Sequence, residues 1–275
     1  MEFLIANGKV AGKDEINLNH ILTESTFRLS QKVWYGYGGI PLFAENLEQI
    51  KNQAEALHLP FPKEFENRRE LFRIAKRMLN KNKFYRSGYI HLQTFWKENQ
   101  IQTLITANAF EQFSFLHNQA GLLVTFSMQK KHTQNTCNRF QFFNEPIWES
   151  GMGEIRQTPF QQVIFLNEKK TICEGARANI FLIKGNELFT PALSSGCYED
   201  VLRPVILETV KQSGFKVSES DTIEKPMLYE MDEIFFASEA SGIQWVLGIE
   251  NKRYLHFYSK EIKEKIDDFL KSRTS

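Results

Sequence analysis

Cysteine is scarce, with Cys137, Cys173 and Cys197 the only three in 275 residues. An odd and scattered set excludes a disulfide framework and points to a reducing compartment. No Cys/His spacing resembles a zinc site. Net charge is almost missing as well, with 34 Lys and Arg against 33 Asp and Glu. A chain so balanced projects no field that would draw in nucleic acid or an anionic membrane. Long apolar runs are absent, since stretches such as QVIFLN (162–167) are strand-length and far too short to span a bilayer. The opening MEFLIANGKV has no positive segment ahead of an apolar block and does not read as a signal peptide. These absences lead us to expect a cytoplasmic protein with neither a nucleic-acid nor a membrane partner.

Phenylalanine, by contrast, is plentiful at 24 residues, and its expected place is a bulky core. The first third of the chain alternates strand and helix. EFLIANGKV reads as two short strands around a turn at Gly8. ENLEQIKNQAEALHL places Leu47, Ile50, Ala54 and Leu57 at helical spacing, and Pro60 and Pro62 close it. KEFENRRELFRIAKRMLNKN predicts a second helix carrying Leu71, Ala75, Met78 and Leu79. YIHLQTFW and QTLITANAF follow as an antiparallel pair joined through KENQI. The polar stretch 112–121 is the candidate domain boundary, which predicts an N-terminal domain over 1–115 and a C-terminal one over 116–275. The second begins with the strand GLLVTFSM, followed by a polar loop QKKHTQNTCN and a helix near 144–156. Short strands then crowd 161–190. A helix with Val201, Val205 and Val210 inward stops at Gly214. EIFFAS and GIQWVLGI are further strands, and a charged helix ends the chain. The fold class expected is α/β (α+β) in two domains.

One residue raises a chemical question. Glu174, in TICEGARANIFLI, stands at the mouth of an apolar strand, where an ionised carboxylate is costly unless something pairs with it. The surrounding segments, VIFLNEKKTICEGARANIFLIKGNELFTPALSSGCYEDVLR and DEIFFASEASGIQWV, resemble the class IV aminotransferase family, the fold-type IV pyridoxal-phosphate enzymes. That family includes branched-chain and D-amino-acid aminotransferases and aminodeoxychorismate lyase. The resemblance implies two α/β domains with the cofactor held in a cleft between them, in a homodimer. It implies that Glu174 faces the pyridine nitrogen of pyridoxal phosphate and keeps it protonated, making the ring an electron sink.

Other positions depart from the family pattern. The lysine that forms the Schiff base opens a Lys-x-x-Asn run. Here that run aligns with QFFN, so Asn144 matches but Gln141 stands in the lysine position. The phosphate-clamping arginine belongs to a His-x-x-Arg run that here reads NLEQ, putting Asn46 and Gln49 in those places. Leu202 replaces a hydroxyl at the start of the helix after YEDV, and Glu239 stands where a small or hydroxyl side chain is usual. The helix N-terminus itself still offers backbone N–H groups, and Glu199 and Asp200 suit it without a ligand. The resulting expectation is weak or absent pyridoxal-phosphate binding and a degenerate site. The alternatives are an active aminotransferase or lyase that uses Lys130 or Lys131, read here as belonging to a basic surface loop, and a binding or partner subunit that reuses the cleft for an unknown small molecule.

Overall fold

The computed structural model describes residues 2–18, 21, 25, 27–97 and 100–274. The chain opens with a hairpin of β1 (Phe3–Ala6) and β2 (Lys9–Gly12). Asn7 and Gly8 turn it with φ of 47° and 76°, the pair of left-handed residues that a tight hairpin of this hand requires. There follow β3 (Phe27–Tyr35), α1 (Phe43–Ala56), α2 (Lys63–Glu66), α3 (Arg68–Lys81), β4 (Gly88–Lys97) and β5 (Gln100–Ala109). The strands form one antiparallel sheet in the order β2-β1-β5-β4-β3. Residues 98–99 of the KENQI connection lie outside the described residues. Leu47 and Ile50 of α1, with Leu71, Ala75, Met78 and Leu79 of α3, pack on Ile5, Val33, Ile90, Leu92 and Ile105 of the sheet.

The single helix expected from Lys63 onward is in fact two. Asn67 interrupts it with φ −85° and ψ 78°, and its side chain accepts the Glu70 N–H at 3.1 Å. That bond satisfies one of the donors a helix start leaves free, so α3 begins anew at an N-cap.

The chain divides into two compact units, Met1–Phe115 with Phe269–Ser275, and Leu116–Asp268. The second contains β6 (Leu122–Lys131), α4 (Gln141–Glu154), β7 (Gln162–Asn167), β8 (Ile172–Gly175), β9 (Asn179–Lys184), β10 (Glu187–Pro191), α5 (Leu202–Gln212), β11 (Lys216–Ser220), α6 (Lys225–Glu230), β12 (Glu233–Ser238), β13 (Gly242–Ile249) and β14 (Lys252–Arg253). The closing helix, α7 (Tyr258–Ser272), starts in this unit and ends in the segment assigned to the first. Its sheet runs β11-β10-β9-β12-β13-β6-β7-β8, with β14 beside β13. Pairing is parallel at β10·β11, β13·β6 and β6·β7 and antiparallel at the other pairs.

Strand alternation divides the second core in two. Val124, Ile164, Leu166, Ile180, Leu182, Ile234 and Phe236 pack together with Leu228 of α6. Val163 and Phe165, the alternate residues of β7, pack with Trp148 of α4, Ala176 and Tyr198. A period of two sends neighbours to opposite faces, so the odd-numbered residues of β7 define the face that α4 covers. Among the described residues no helix is long and apolar enough to cross a membrane.

Candidate functional site

Glu174 lies on β8 opposite Phe165 of β7, and therefore on the face covered by α4. Its exposure is 0 %. The cation it requires is Lys131, whose Nζ lies 2.7 Å from Glu174 Oε1 with both side chains at 1 % exposure or less. Trp148 Nε1 donates to the same oxygen at 2.7 Å, and the Tyr198 backbone N–H donates to Oε2. Both carboxylate oxygens are thus engaged. Removing two charges from water is costly, and such a pair survives only where geometry and extra hydrogen bonds offset the loss of hydration.

Lys131 corrects the sequence reading. It is not part of a surface loop but the last residue of β6, aligned with Asn167 of β7. Phe126 pairs with Ile164, yet Lys130 pairs with Leu166, so β6 carries two more residues than β7 across this step. The bulge is clasped by Glu154 of α4, which accepts from Ser127 Oγ at 3.2 Å, Met128 N at 2.9 Å and Gln129 Nε2 at 3.3 Å. Bulges re-aim side chains at the ends of strands. Here the one at Ser127–Gln129 lets the strand resume, with Lys131 facing inward and Lys130 exposed.

A second cluster adjoins the first through Tyr198. The Asp200 carboxylate, 4 % exposed, accepts the Leu202 N–H at 2.9 Å and the Glu239 N–H at 2.8 Å, both on Oδ1. Tyr198 Oη donates to Oδ2 at 3.2 Å. The structure therefore brings Leu202 and Glu239 together, through their backbone N–H groups, on one buried carboxylate. Burial raises the Asp200 carboxyl to about 6 against the pull of those N–H donors, and pushes the Tyr198 phenol well above its ordinary value. Asn179 fixes the loop, accepting the Asp200 N–H at 3.2 Å and donating to the Tyr198 carbonyl at 2.5 Å.

The remaining sequence-derived positions make other hydrogen bonds. Gln141, at the start of α4, is half-buried and donates to Glu145 Oε1 at 2.9 Å; no hydrogen bond joins it to Glu174. Glu145 in turn holds Arg177, 2.7 Å away. Asn144 is buried and donates to the carbonyls of Asn138 and Phe140, at 2.6 and 2.8 Å, tying α4 to the preceding turn. In the first unit Asn46 accepts from Gln31 at 2.8 Å and donates to the Leu42 carbonyl at 2.8 Å. Gln49 is half-buried on α1, and its carbonyl accepts from Gln53. Cys173 and Cys197 are free and buried, and burial lifts both thiols, Cys197 to about 11. They are therefore poor nucleophiles at neutral pH. Among the described residues no group of three or more His, Cys, Asp or Glu is placed to hold a metal ion.

Trp148 and Tyr198 are the members of the cluster that sequence reasoning missed, while Lys131 and Asp200 were named but placed in a surface loop and at an ordinary helix start. The bulge hid Lys131, and the acidic YED run explains itself as helix-start chemistry without revealing that Asp200 turns inward.

Comparison with known proteins decides the family. The model for "Amino-transferase class IV" matches residues 31–249. The chain is a class IV aminotransferase family member. It is 22 % identical to a "Probable branched-chain-amino-acid aminotransferase" of Aquifex aeolicus, over 98 % of this chain and 96 % of that protein. The pyridoxal-phosphate form of a branched-chain aminotransferase from Thermobaculum terrenum superposes with a TM-score of 0.85 at 14 % identity, covering 99 % of this chain and 94 % of that one. A "Putative 4-amino-4-deoxychorismate lyase" from Legionella pneumophila gives 0.72 at 17 % identity, over 91 % of this chain and 93 % of that one. Likeness at such identity establishes the fold, while activity depends on the residues in the site.

Proposed function

We propose that this chain keeps the class IV scaffold without pyridoxal-phosphate catalysis, and serves as a small-molecule-binding or partner subunit. One observation carries the reading. The carboxylate that the family resemblance assigns to the cofactor's ring nitrogen, Glu174, already has both oxygens engaged by Lys131, Trp148 and Tyr198. The replacements at Gln141 and Gln49 support it, because an amide can neither form an imine nor clamp a phosphate with a guanidinium fork. On this reading the residues present do not fit pyridoxal phosphate.

A second reading has its own support. Lys131 is a buried amine in direct contact with Glu174, and an active aminotransferase or lyase would use it as the Schiff-base lysine after breaking that contact. The near-visible absorption spectrum separates the two. We expect a colourless protein that stays colourless after pyridoxal phosphate is added and removed by gel filtration. A yellow protein in which borohydride fixes the cofactor to Lys131 establishes the second reading instead.

We also propose a homodimer, by analogy with the family. The exposure of Met128, Leu255 and Phe257 on the second unit supports it, since apolar side chains of this size favour an interface. Light scattering at micromolar concentration is expected to give twice the chain mass, and a monomer there refutes the proposal.

A further inference from the structure

The second unit holds a cation and an anion where charge is costly, and each sits on a group suited to a ligand of the same sign. The Lys131 ammonium rests on Glu174 at 2.7 Å. The Asp200 carboxylate rests on two converging backbone N–H groups, one opening α5 and one from the residue after β12, at 2.9 and 2.8 Å. A single residue links the two ends, since Tyr198 donates its backbone N–H to Glu174 and its hydroxyl to Asp200. The cationic and anionic groups therefore stand at the two ends of Tyr198, whose buried phenol lies along the span between them. A protein ring thus takes the line that a single ring with a short phosphate arm would need.

We propose that Lys131 and Asp200 are resident replacements for the two charges of such a ligand, and that together they keep this site closed to phosphorylated pyridines. The inference rests on the preceding reading that the chain does not use pyridoxal phosphate, and adds what excludes the ligand and how the site reopens. Lys131 supplies the N–H donor that a protonated ring nitrogen would bring to Glu174. Asp200 supplies the anionic oxygens that a phosphate would bring to Leu202 N and Glu239 N. Either side chain alone blocks one end, because the protein group it covers has no second position for a ligand atom. Trp148 reports on the site, since its indole N–H lies on the same Glu174 oxygen as the lysine.

The test measures the affinity for pyridoxal phosphate and for pyridoxine phosphate, which has no aldehyde, by calorimetry and by quenching of tryptophan fluorescence. The wild-type protein is expected to show no saturable binding of either compound up to millimolar concentration. The Lys131→Ala/Tyr198→Ala/Asp200→Gly variant, which also removes the intervening phenol, is expected to bind both at least tenfold more tightly than the wild type, without a borohydride-stable adduct. A variant with unchanged circular dichroism and no gain in affinity overturns the proposal. Asp200→Gly alone keeps the Lys131–Glu174 pair and opens only the anion end, so it serves if the triple variant does not fold. It is expected to bind inorganic phosphate at least tenfold more tightly than the wild type, and failure to do so is equally decisive. If the wild-type protein instead forms a reducible adduct on Lys131, the loss-of-cofactor reading falls first. A colourless wild type with an unresponsive variant overturns this inference alone.

Discussion

Removing the ammonium from Lys131 leaves the Glu174 carboxylate at 0 % exposure with no counter-charge. Breaking a buried pair from one side commonly costs about 3–5 kcal/mol. Lys131→Met is expected to lose about 3 kcal/mol in urea denaturation, the bonds from Trp148 and Tyr198 softening the loss. Lys131→Met/Glu174→Gln removes both charges and is expected to recover most of it. A single variant as stable as the wild type would mean that the pair is not buried in solution. Asp200 gives a prediction of the opposite kind. Its carboxyl is raised to about 6 from an ordinary 3.8 because burial disfavours the charged form. The folded protein therefore holds this proton more tightly than the unfolded chain, and the Asp200 contribution to stability falls as pH rises from about 4 to about 6. Asp200→Asn removes that dependence. Its stability relative to wild type is expected to be more favourable at pH 7.5 than at pH 4, and an unchanged difference between the two pH values refutes the assignment.

At the scale of single elements, α4 and β6 position the site through close packing and a bulge. A Cβ on Gly151 would lie 2.5 Å from the Phe165 ring and 3.0 Å from Ser127 Oγ, whereas one on Gly153 meets nothing within 4 Å. Gly151→Ala is therefore expected to cost about 1–3 kcal/mol through overpacking. Gly153→Ala, in the same helix but exposed, is expected to gain up to about 1 kcal/mol from helix propensity. Thermal melts of the two variants should move in opposite directions. These elements also mark how far the sequence could be read. Helical spacing located α1 and α3, which bury one face each, and apolar runs located β7, β9 and β12, which are buried almost throughout, as well as β4, β5 and β13. Asn67 escaped because a cap inside an otherwise continuous helical pattern looks like any exposed polar residue. Glu174 was recognisable by its cost beside a buried strand. Lys131 was named as an alternative lysine but placed in a surface loop, because the two additional residues of the bulge interrupt the alternation that would have assigned it a face. Asp200 was hidden by its neighbours, since a short acidic run before a helix has a sufficient local explanation.

At the scale of the whole molecule, the proposed replacement of a ligand by side chains depends on one unit alone. Lys131, Glu174, Trp148, Tyr198, Asp200, Leu202 and Glu239 all fall within Leu116–Asp268. So do the two apolar clusters that flank the sheet, one around Ile164, Leu182 and Phe236 and the other around Val163, Phe165 and Trp148. A unit of about 150 residues is large enough to bury most of the surface its unfolded chain exposes. The first unit, in contrast, takes its last residues from the far end of the chain. There Arg273 pairs with Glu45 at 2.5 Å, and Thr274 leaves no room for a side chain at Gly39. Residues 116–268 produced alone are thus expected to unfold in one cooperative transition, with the fluorescence of Trp148 and Trp245 and the circular dichroism changing together. Residues 1–115 produced alone lack the contacts of Arg273 and Thr274, and should be less stable than the same unit in the full chain. In the isolated second unit, Lys131→Met should lower the midpoint by the same free energy as in the whole protein, because every partner of the pair is retained. If the fragment collapses without a cooperative transition, or if the Lys131→Met effect disappears in it, then the buried pair depends on residues outside this unit and the self-contained site is refuted.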